Sequence, residues 1–438
     1  MPPPTRLIHG AAGVRIHRST FLGRRLGAVR RRLGGGRRLD PQRKLVVGAI
    51  FAAAAGTFLV VPFLALQLAA AHLSASVIGL LLSISVLTSR ALPLVTGVVA
   101  DVVGARATMA AGIASLGAAY AGLGLTRSPA ADAGLLVVMG VGVALFQPSS
   151  KSLLVDGVAD EEVGIVFAWR NLAFNAGAAL GSAAGSLALV AVSYSDLFVA
   201  AGVAYLVLLV LFLLVGVPDA GGGGGAARPS LADFAASLAD GRLVRVTLVS
   251  AGFWMLYAQL NLTLPLALQR AGHARLIGVL FAINACVIIV SQLPLARVTG
   301  GTPIRRRIGG GLLLVGLGLA SLALLPHAWA ALPLFVILFS LGEMTVAPTL
   351  DTATSLLAPA GRAGTYFGIA SLGFALGGVG GNILGGVLAD ALRPSAFWLV
   401  CCLFALVLAA AAARQLQGLP AEPTGRSVDA REAEPNEA

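Results

Sequence analysis

The residues able to do chemistry in this chain are the few ionisable and polar side chains set inside long apolar runs, for 57% of its 438 residues are hydrophobic and only 11% charged. Glu343 lies in Leu341-Gly-Glu-Met-Thr-Val-Ala-Pro348, near the middle of one such run. A carboxyl there can take up and release a proton if it meets water first from one side and then from the other, and acids at membrane depth mark proton relays by default. A permanently protonated glutamate hydrogen-bonded to a neighbouring helix is the plainer alternative, and both stay open. Arg90 sits in a second run, where an arginine costs about 3 kcal/mol at a bilayer centre. It must face protein, water or inner headgroups, either snorkelling or serving with Glu343 in proton coupling. Lys151 and Asp351 are opposite charges at matching places, three residues after Pro148 and Pro348 respectively. They could pair and close a cytoplasmic gate, or each could meet solvent.

For a ligand, Trp254, Tyr257 and Asn261 are spaced three and four apart and share one helical face. With Asn284, Phe146 and Gln147 they offer aromatic walls and a few amides, which suits an apolar or amphipathic small molecule. Core packing accounts for the same aromatics. No arginine cluster in the sequence points to a phosphate ester. The 5 histidines are dispersed and form no H-x-x-x-H group, and D-D-x-x-D is missing, so an enzyme is not expected. Cys286, Cys401 and Cys402 all lie in apolar runs and imply neither a disulfide framework nor a metal site.

The elements that must position these residues are membrane helices. Twelve apolar runs long enough to span a bilayer are expected near 45–70, 76–98, 107–125, 133–155, 164–192, 197–216, 246–269, 276–296, 308–325, 331–356, 365–389 and 395–413. The net charge of +12 is placed by the positive-inside rule rather than by nucleic acid, because most of the 31 Lys and Arg fall on one side when both termini are set inside. Residues 1–44 form a basic tail expected to be disordered or to lie on anionic lipid. Residues 217–245, with Gly221 to Gly225 in a row, read as a cytoplasmic linker between six-helix halves at 45–216 and 246–413, and 414–438 as a cytoplasmic tail. The halves repeat at an offset of 200: Gly142/Gly342, Pro148/Pro348, Gly164/Gly364, Phe167/Phe367, Leu172/Leu372, Phe174/Phe374, Gly177/Gly377, Gly181/Gly381 and Gly185/Gly385 match without a gap. The fold class is therefore all-α integral membrane, two pseudo-symmetric bundles with a site between them.

Two motifs carry a family resemblance. Gly97-x-x-x-Asp101-x-x-Gly104-x-Arg106, between the second and third runs, resembles the loop signature of the major facilitator superfamily, whose members have twelve transmembrane helices. The resemblance implies that Gly97, Asp101, Gly104 and Arg106 act as a conformational latch, with Asp101 meeting the start of the eleventh helix. Gly177-x-x-x-Gly181-Ser-x-x-Ala-Gly185 is similar to the antiporter motif of drug-exporting members, with Ser182 in place of proline. Gly377-x-x-x-Gly381-Asn-x-x-Gly385-Gly386 is its second-half copy, with Asn382. Glycines every fourth residue groove a helix for close packing. The segment from Glu343 to Gly368 further resembles bacterial drug:proton antiporters. An arginine of the family's fourth helix is missing, Leu136 standing in its place. The resemblance implies alternating access and proton-coupled efflux of hydrophobic or amphiphilic molecules, with uptake or facilitated transport of a metabolite or sugar as the alternative. It implies no cofactor beyond a proton gradient. The partners expected are a small-molecule substrate and the lipid bilayer, without nucleic acid, for a monomer in the bacterial cytoplasmic membrane.

Overall fold

A computed structural model describes residues 41–92, 96, 100, 102–158, 160–216, 236–299, 301–325, 331–359 and 362–417. The expectations for the basic leading tail up to residue 40, the Gly221–Gly225 run, Gly97, Asp101 and the tail beyond 417 fall outside these residues. The described residues are all helix and connecting turns, with no strand. In chain order the helices are α1 (Pro41–Val60), α2 (Leu64–Ala69), α3 (Ala75–Ala91), α4 (Ala105–Leu125), α5 (Pro129–Val155), α6 (Asp160–Ala188) and α7 (Tyr194–Val215). They continue as α8 (Gly241–Ala258), α9 (Thr263–Arg270), α10 (Leu276–Thr299), α11 (Ile304–Ser321), α12 (Ala331–Leu357), α13 (Ala363–Ala391) and α14 (Pro394–Gln415). Nine helices among the described residues are long and apolar enough to cross a membrane, and Ala75–Ala91 and Leu276–Ser291 are shorter apolar helices. Each expected run coincides with a helix, although α1 begins at Pro41 and α8 at Gly241, earlier than expected.

Two rods are broken where the sequence reading runs straight through. The first bends through a 3-10 turn at Val61–Phe63, because Pro62 has no N–H to give the helix ladder. The seventh breaks between Ala258 and Thr263, the equivalent place, where Pro265 has no N–H for the Asn261 carbonyl. There the Gln259 amide donates to the carbonyls of Met255 (2.8 Å) and Gly381 (2.9 Å), so polar backbone freed from the ladder is satisfied inside the protein.

Glycine sets how closely the rods approach. A Cβ at Gly177, Gly181 or Gly185 of α6 would strike the backbone carbonyls of Phe51, Ala55 and Leu59 in α1. A Cβ at Gly377, Gly381 or Gly385 of α13 would strike the carbonyls of Ala251 and Met255 and the Gln259 side chain. Contacted residues four apart meet glycines four apart, and the two ladders differ by 200 throughout, so the repeat read in helices four, five, ten and eleven extends to the first and seventh rods. The next residue of each ladder turns toward a different helix. Gly378 and Gly386 of α13 abut Val86 and Ala75 of α3, and the Asn382 carbonyl sits against Gly79 of α3. Ser182 and Ser186 of α6 abut Gly278 of α10. The positions where the resembled motif has proline thus lie on the second face of each helix.

Candidate functional site

The helix faces at the centre leave a cavity of about 160 Å³ lined by Leu64, Leu82, Ser85, Val86, Met139, Trp254, Tyr257, Asn261, Phe374 and Asn382, with neighbours from the same rods. Six elements contribute, so no one helix shows the site in sequence. The break after Ala258 turns Asn261 into it. Trp254, Tyr257 and Asn261 share the wall as their spacing requires, and Phe374 completes it, 4.1 Å from the Trp254 ring centroid. Trp254 and Tyr257 meet edge to face at 5.0 Å.

Glu343 stands one side chain behind that wall. It is partly exposed, its Oε2 accepts from the Asn284 amide at 3.2 Å, and the Tyr257 phenol lies near enough to act on it. The same Asn284 amide donates to Ser340 Oγ at 2.8 Å, which fixes the amide's orientation toward the acid. Glu343 therefore has polar partners from α8 and α10 and touches the cavity through Tyr257. A carboxyl held by a phenol and an amide can exist in either protonation state, because a hydroxyl serves as donor or acceptor. Arg90 is not among these partners. Its guanidinium carbon lies 3.5 Å from the centroid of the Phe374 ring, a cation–π contact worth about 0.5–2 kcal/mol. Arg90, Phe374, Trp254, Tyr257 and Glu343 form a continuous line of contacts.

Phe146 is buried, with its backbone against Gly112, outside the cavity lining. Gln147 is likewise outside it, its Oε1 accepting from Arg170 Nη2 at 2.5 Å. Asn284 borders a separate narrow crevice with Leu280, Phe281 and Phe335. Lys151 and Asp351 are both exposed and sense each other's charge. They form no ion pair within 4.0 Å among the described residues. Gly104 takes φ 98° at the start of α4, a left-handed conformation that suits glycine. Arg106 donates to the Leu213 carbonyl at 3.1 Å, near the C-terminus of α7, where the helix dipole favours a cation.

Two features escaped the sequence reading. Arg170 on α6 holds Gln147, one turn before Lys151 on α5, and the charges of Arg170 and Arg90 both reach Lys151, so the chain has a group of cations after all, assembled from three helices and invisible as a run. Asp390 near the end of α13 caps the start of α3, accepting from Ala75 N (3.1 Å), Ser76 N (2.8 Å) and Ser76 Oγ (2.6 Å). On the same end Ser186 Oγ of α6 donates to the Arg275 carbonyl before α10 (2.7 Å). Only the tandem of an acid near one helix end and Ser74-Ala-Ser76 at another hinted at this contact. Hydrogen bonds thus join α3 to α13 and α6 to α10 at one end, while Lys151 and Asp351 at the other make no ion pair within 4.0 Å.

Comparison with known proteins agrees with this architecture. The family model described as Major Facilitator Superfamily matches residues 46–382. The multidrug resistance protein MdtH of Aeromonas hydrophila subsp. hydrophila is 30% identical over 353 residues, covering 76% of this chain and 84% of that protein. MdtH of Citrobacter koseri is 29% identical over 327 residues, covering 72% and 78%. Among solved structures, the nucleoside transporter NupG (D323A mutant) superposes with a TM-score of 0.75 at 15% identity, covering 87% of this chain and all of that one (100%). A POT family transporter in complex with a thioalcohol-conjugated peptide gives 0.73 at 13% identity, covering 84% and 94%. At such identities the structures speak for the fold alone. The sequence match extends from the first rod into the glycine ladder of α13, and the chain is a multi-pass membrane transporter, not an enzyme, belonging to the Major Facilitator Superfamily.

Proposed function

We propose that this transporter exports hydrophobic or amphiphilic small molecules in exchange for protons, with Glu343 as the proton carrier. The observation that carries the reading is Tyr257, which lines the aromatic cavity and acts on Glu343, so that a ligand in the cavity and a proton on the acid are sensed by one side chain. A ligand that moves the phenol changes how well the carboxylate form is solvated, which couples the two events. The naming of MdtH proteins as multidrug resistance proteins, at about 30% identity, supports the direction of transport and the breadth of substrate. No cofactor is required, the proton gradient being the driving force.

The chain crosses the bacterial cytoplasmic membrane twelve times as a monomer, in two six-helix halves, with both termini in the cytoplasm. The basic turns support this orientation: Arg305, Arg306 and Arg307 open α11, and Arg242 and Arg245 begin α8. In that frame the Asp390 cap is the closed outer gate and the Lys151 and Asp351 end is the open inner one. Alternating access then consists of breaking the cap while Lys151 and Asp351 come together. Gly97 and Asp101, with Gly104 and Arg106, act as the latch of the inward-closed state.

The test is proton movement in proteoliposomes under a pH gradient, for the native chain and Glu343→Gln, with a panel of lipophilic cations and other amphiphiles. Compound-evoked proton movement that the substitution abolishes is the expected result. Compounds crossing without proton movement, or equal behaviour of the two proteins, would replace antiport with facilitated transport of a metabolite.

A further inference from the structure

We propose that Arg90, Lys151 and Arg170 form a cationic mouth that selects the anionic head of an amphiphilic organic anion or zwitterion, a carboxylate in the simplest case, while its apolar part enters the cavity at Trp254 and Phe374. The proposal rests on the efflux reading and deepens it by naming the substrate class.

The three cations come from α3, α5 and α6, and the charges of Arg90 and Arg170 both act on the Lys151 ammonium. Among the described residues Asp351 is the one acid that acts on it, so three positive charges face a single negative one there. Gathering like charges is unfavourable unless water or an anion compensates. Water reaches the exposed Arg90 and Lys151, but it does not reach all of Arg170. The Arg90 guanidinium lies on Phe374, a wall of the cavity, and Arg170 Nε is buried with no hydrogen-bond partner, while its Nη2 is used on Gln147. Lys151 is exposed and makes no hydrogen bond among the described residues. An arginine with an unused donor beside an unpartnered lysine is a geometry suited to a carboxylate or phosphate oxygen.

The second half has no such mouth. The residues 200 further on are Ala347, Asp351 and Ala370 in place of Gln147, Lys151 and Arg170. One side of the entrance is thus cationic and the other acidic, a polarity that orients a zwitterion with its anion toward α5 and α6. The apolar cavity follows directly, since Phe374 is shared between Arg90 and Trp254.

The test uses the full chain in nanodiscs of phosphatidylcholine and equilibrium binding of radiolabelled biphenyl-4-carboxylate against biphenyl-4-carboxamide. The native protein is expected to prefer the carboxylate by about tenfold, less at high salt. Lys151→Gln and Arg170→Gln should each remove most of that preference without weakening the amide, and Lys151→Arg should retain it. Equal binding of the two probes by the native protein, or a preference that survives the double neutralisation, overturns the proposal. Competitive loss of carboxylate binding when phosphatidylglycerol is added also overturns it, assigning the cluster to lipid headgroups. Proton movement evoked by neutral and cationic amphiphiles separates the two readings. If it persists with no carboxylate preference, the mouth falls and efflux stands; a preference without any coupled proton movement has the opposite meaning.

Discussion

The two halves solve the same packing problem with the same residues and then part company at one level in the middle. The glycine ladders of α6 and α13 are equivalent position by position, and the residues they meet, Phe51, Ala55 and Leu59 against Ala251, Met255 and Gln259, keep the offset of 200. By that register Thr57 corresponds to Tyr257. Thr57 shares its hydroxyl with Tyr205 OH (2.6 Å) and Tyr120 OH (3.4 Å), and Tyr205 also donates to the Ala53 carbonyl (2.7 Å). This cluster is neutral and internal, and both tyrosines are fully buried. Tyr257 instead meets Glu343, whose counterpart in α5 is Val143. The difference teaches that backbone approach is held in common by the duplicated scaffold, while the acid at Glu343 is confined to one half, so the site is asymmetric within a symmetric frame.

The largest effect should come from moving the acid. Placing it in the first half with Val143→Glu while removing it with Glu343→Val should leave compound-driven proton flux lower by on the order of a hundredfold, because α5 offers no phenol and amide pair to hold it. Restored flux in that double variant would mean that the halves are interchangeable. Next are the ladders. Gly181→Leu and Gly381→Leu should each destabilise by about 1–3 kcal/mol or prevent folding, since the added side chain meets backbone that cannot yield; thermal unfolding in detergent that differs grossly between them would break the equivalence.

A smaller change is expected at the cap of α3, the outer gate of the proposed cycle, which Asp390 supplies. Removing its carboxylate with Asp390→Ala should cost the closed state about 0.5–2 kcal/mol, the worth of a helix cap. Spin labels at Leu80→Cys and Leu384→Cys on α3 and α13 would then report a larger fraction of long distances, whereas an unchanged distribution would leave the cap without a gating role. Smallest is Tyr120→Phe, which deletes one long hydrogen bond of the neutral cluster and should lower stability by about 0.5–1.5 kcal/mol with proton coupling intact. A loss of coupling there would show that the first-half cluster is not merely structural.

What the sequence by itself determined is whatever depends on composition and on local repetition. The apolar runs fixed where helices form, because a chain in hydrocarbon must satisfy its backbone within each segment. The glycines four apart fixed which faces approach, and the offset of 200 related the two halves. Even the aromatic face of Trp254, Tyr257 and Asn261 followed from helical spacing. The tertiary structure decided everything that needed two or more helices at once. It set Phe146 and Gln147 outside the cavity, gave Glu343 its partners Tyr257 and Asn284, stacked Arg90 on Phe374, and gathered Arg170 beside Lys151. The breaks at Val61–Phe63 and Gln259–Leu262 belong to the same class: Pro62 sits in the first and Pro265 follows the second by one turn, but only the packed helices show that Gln259 bonds the Gly381 carbonyl there. Periodicity along one helix says which residues share a face, and only the packed neighbours say what that face meets.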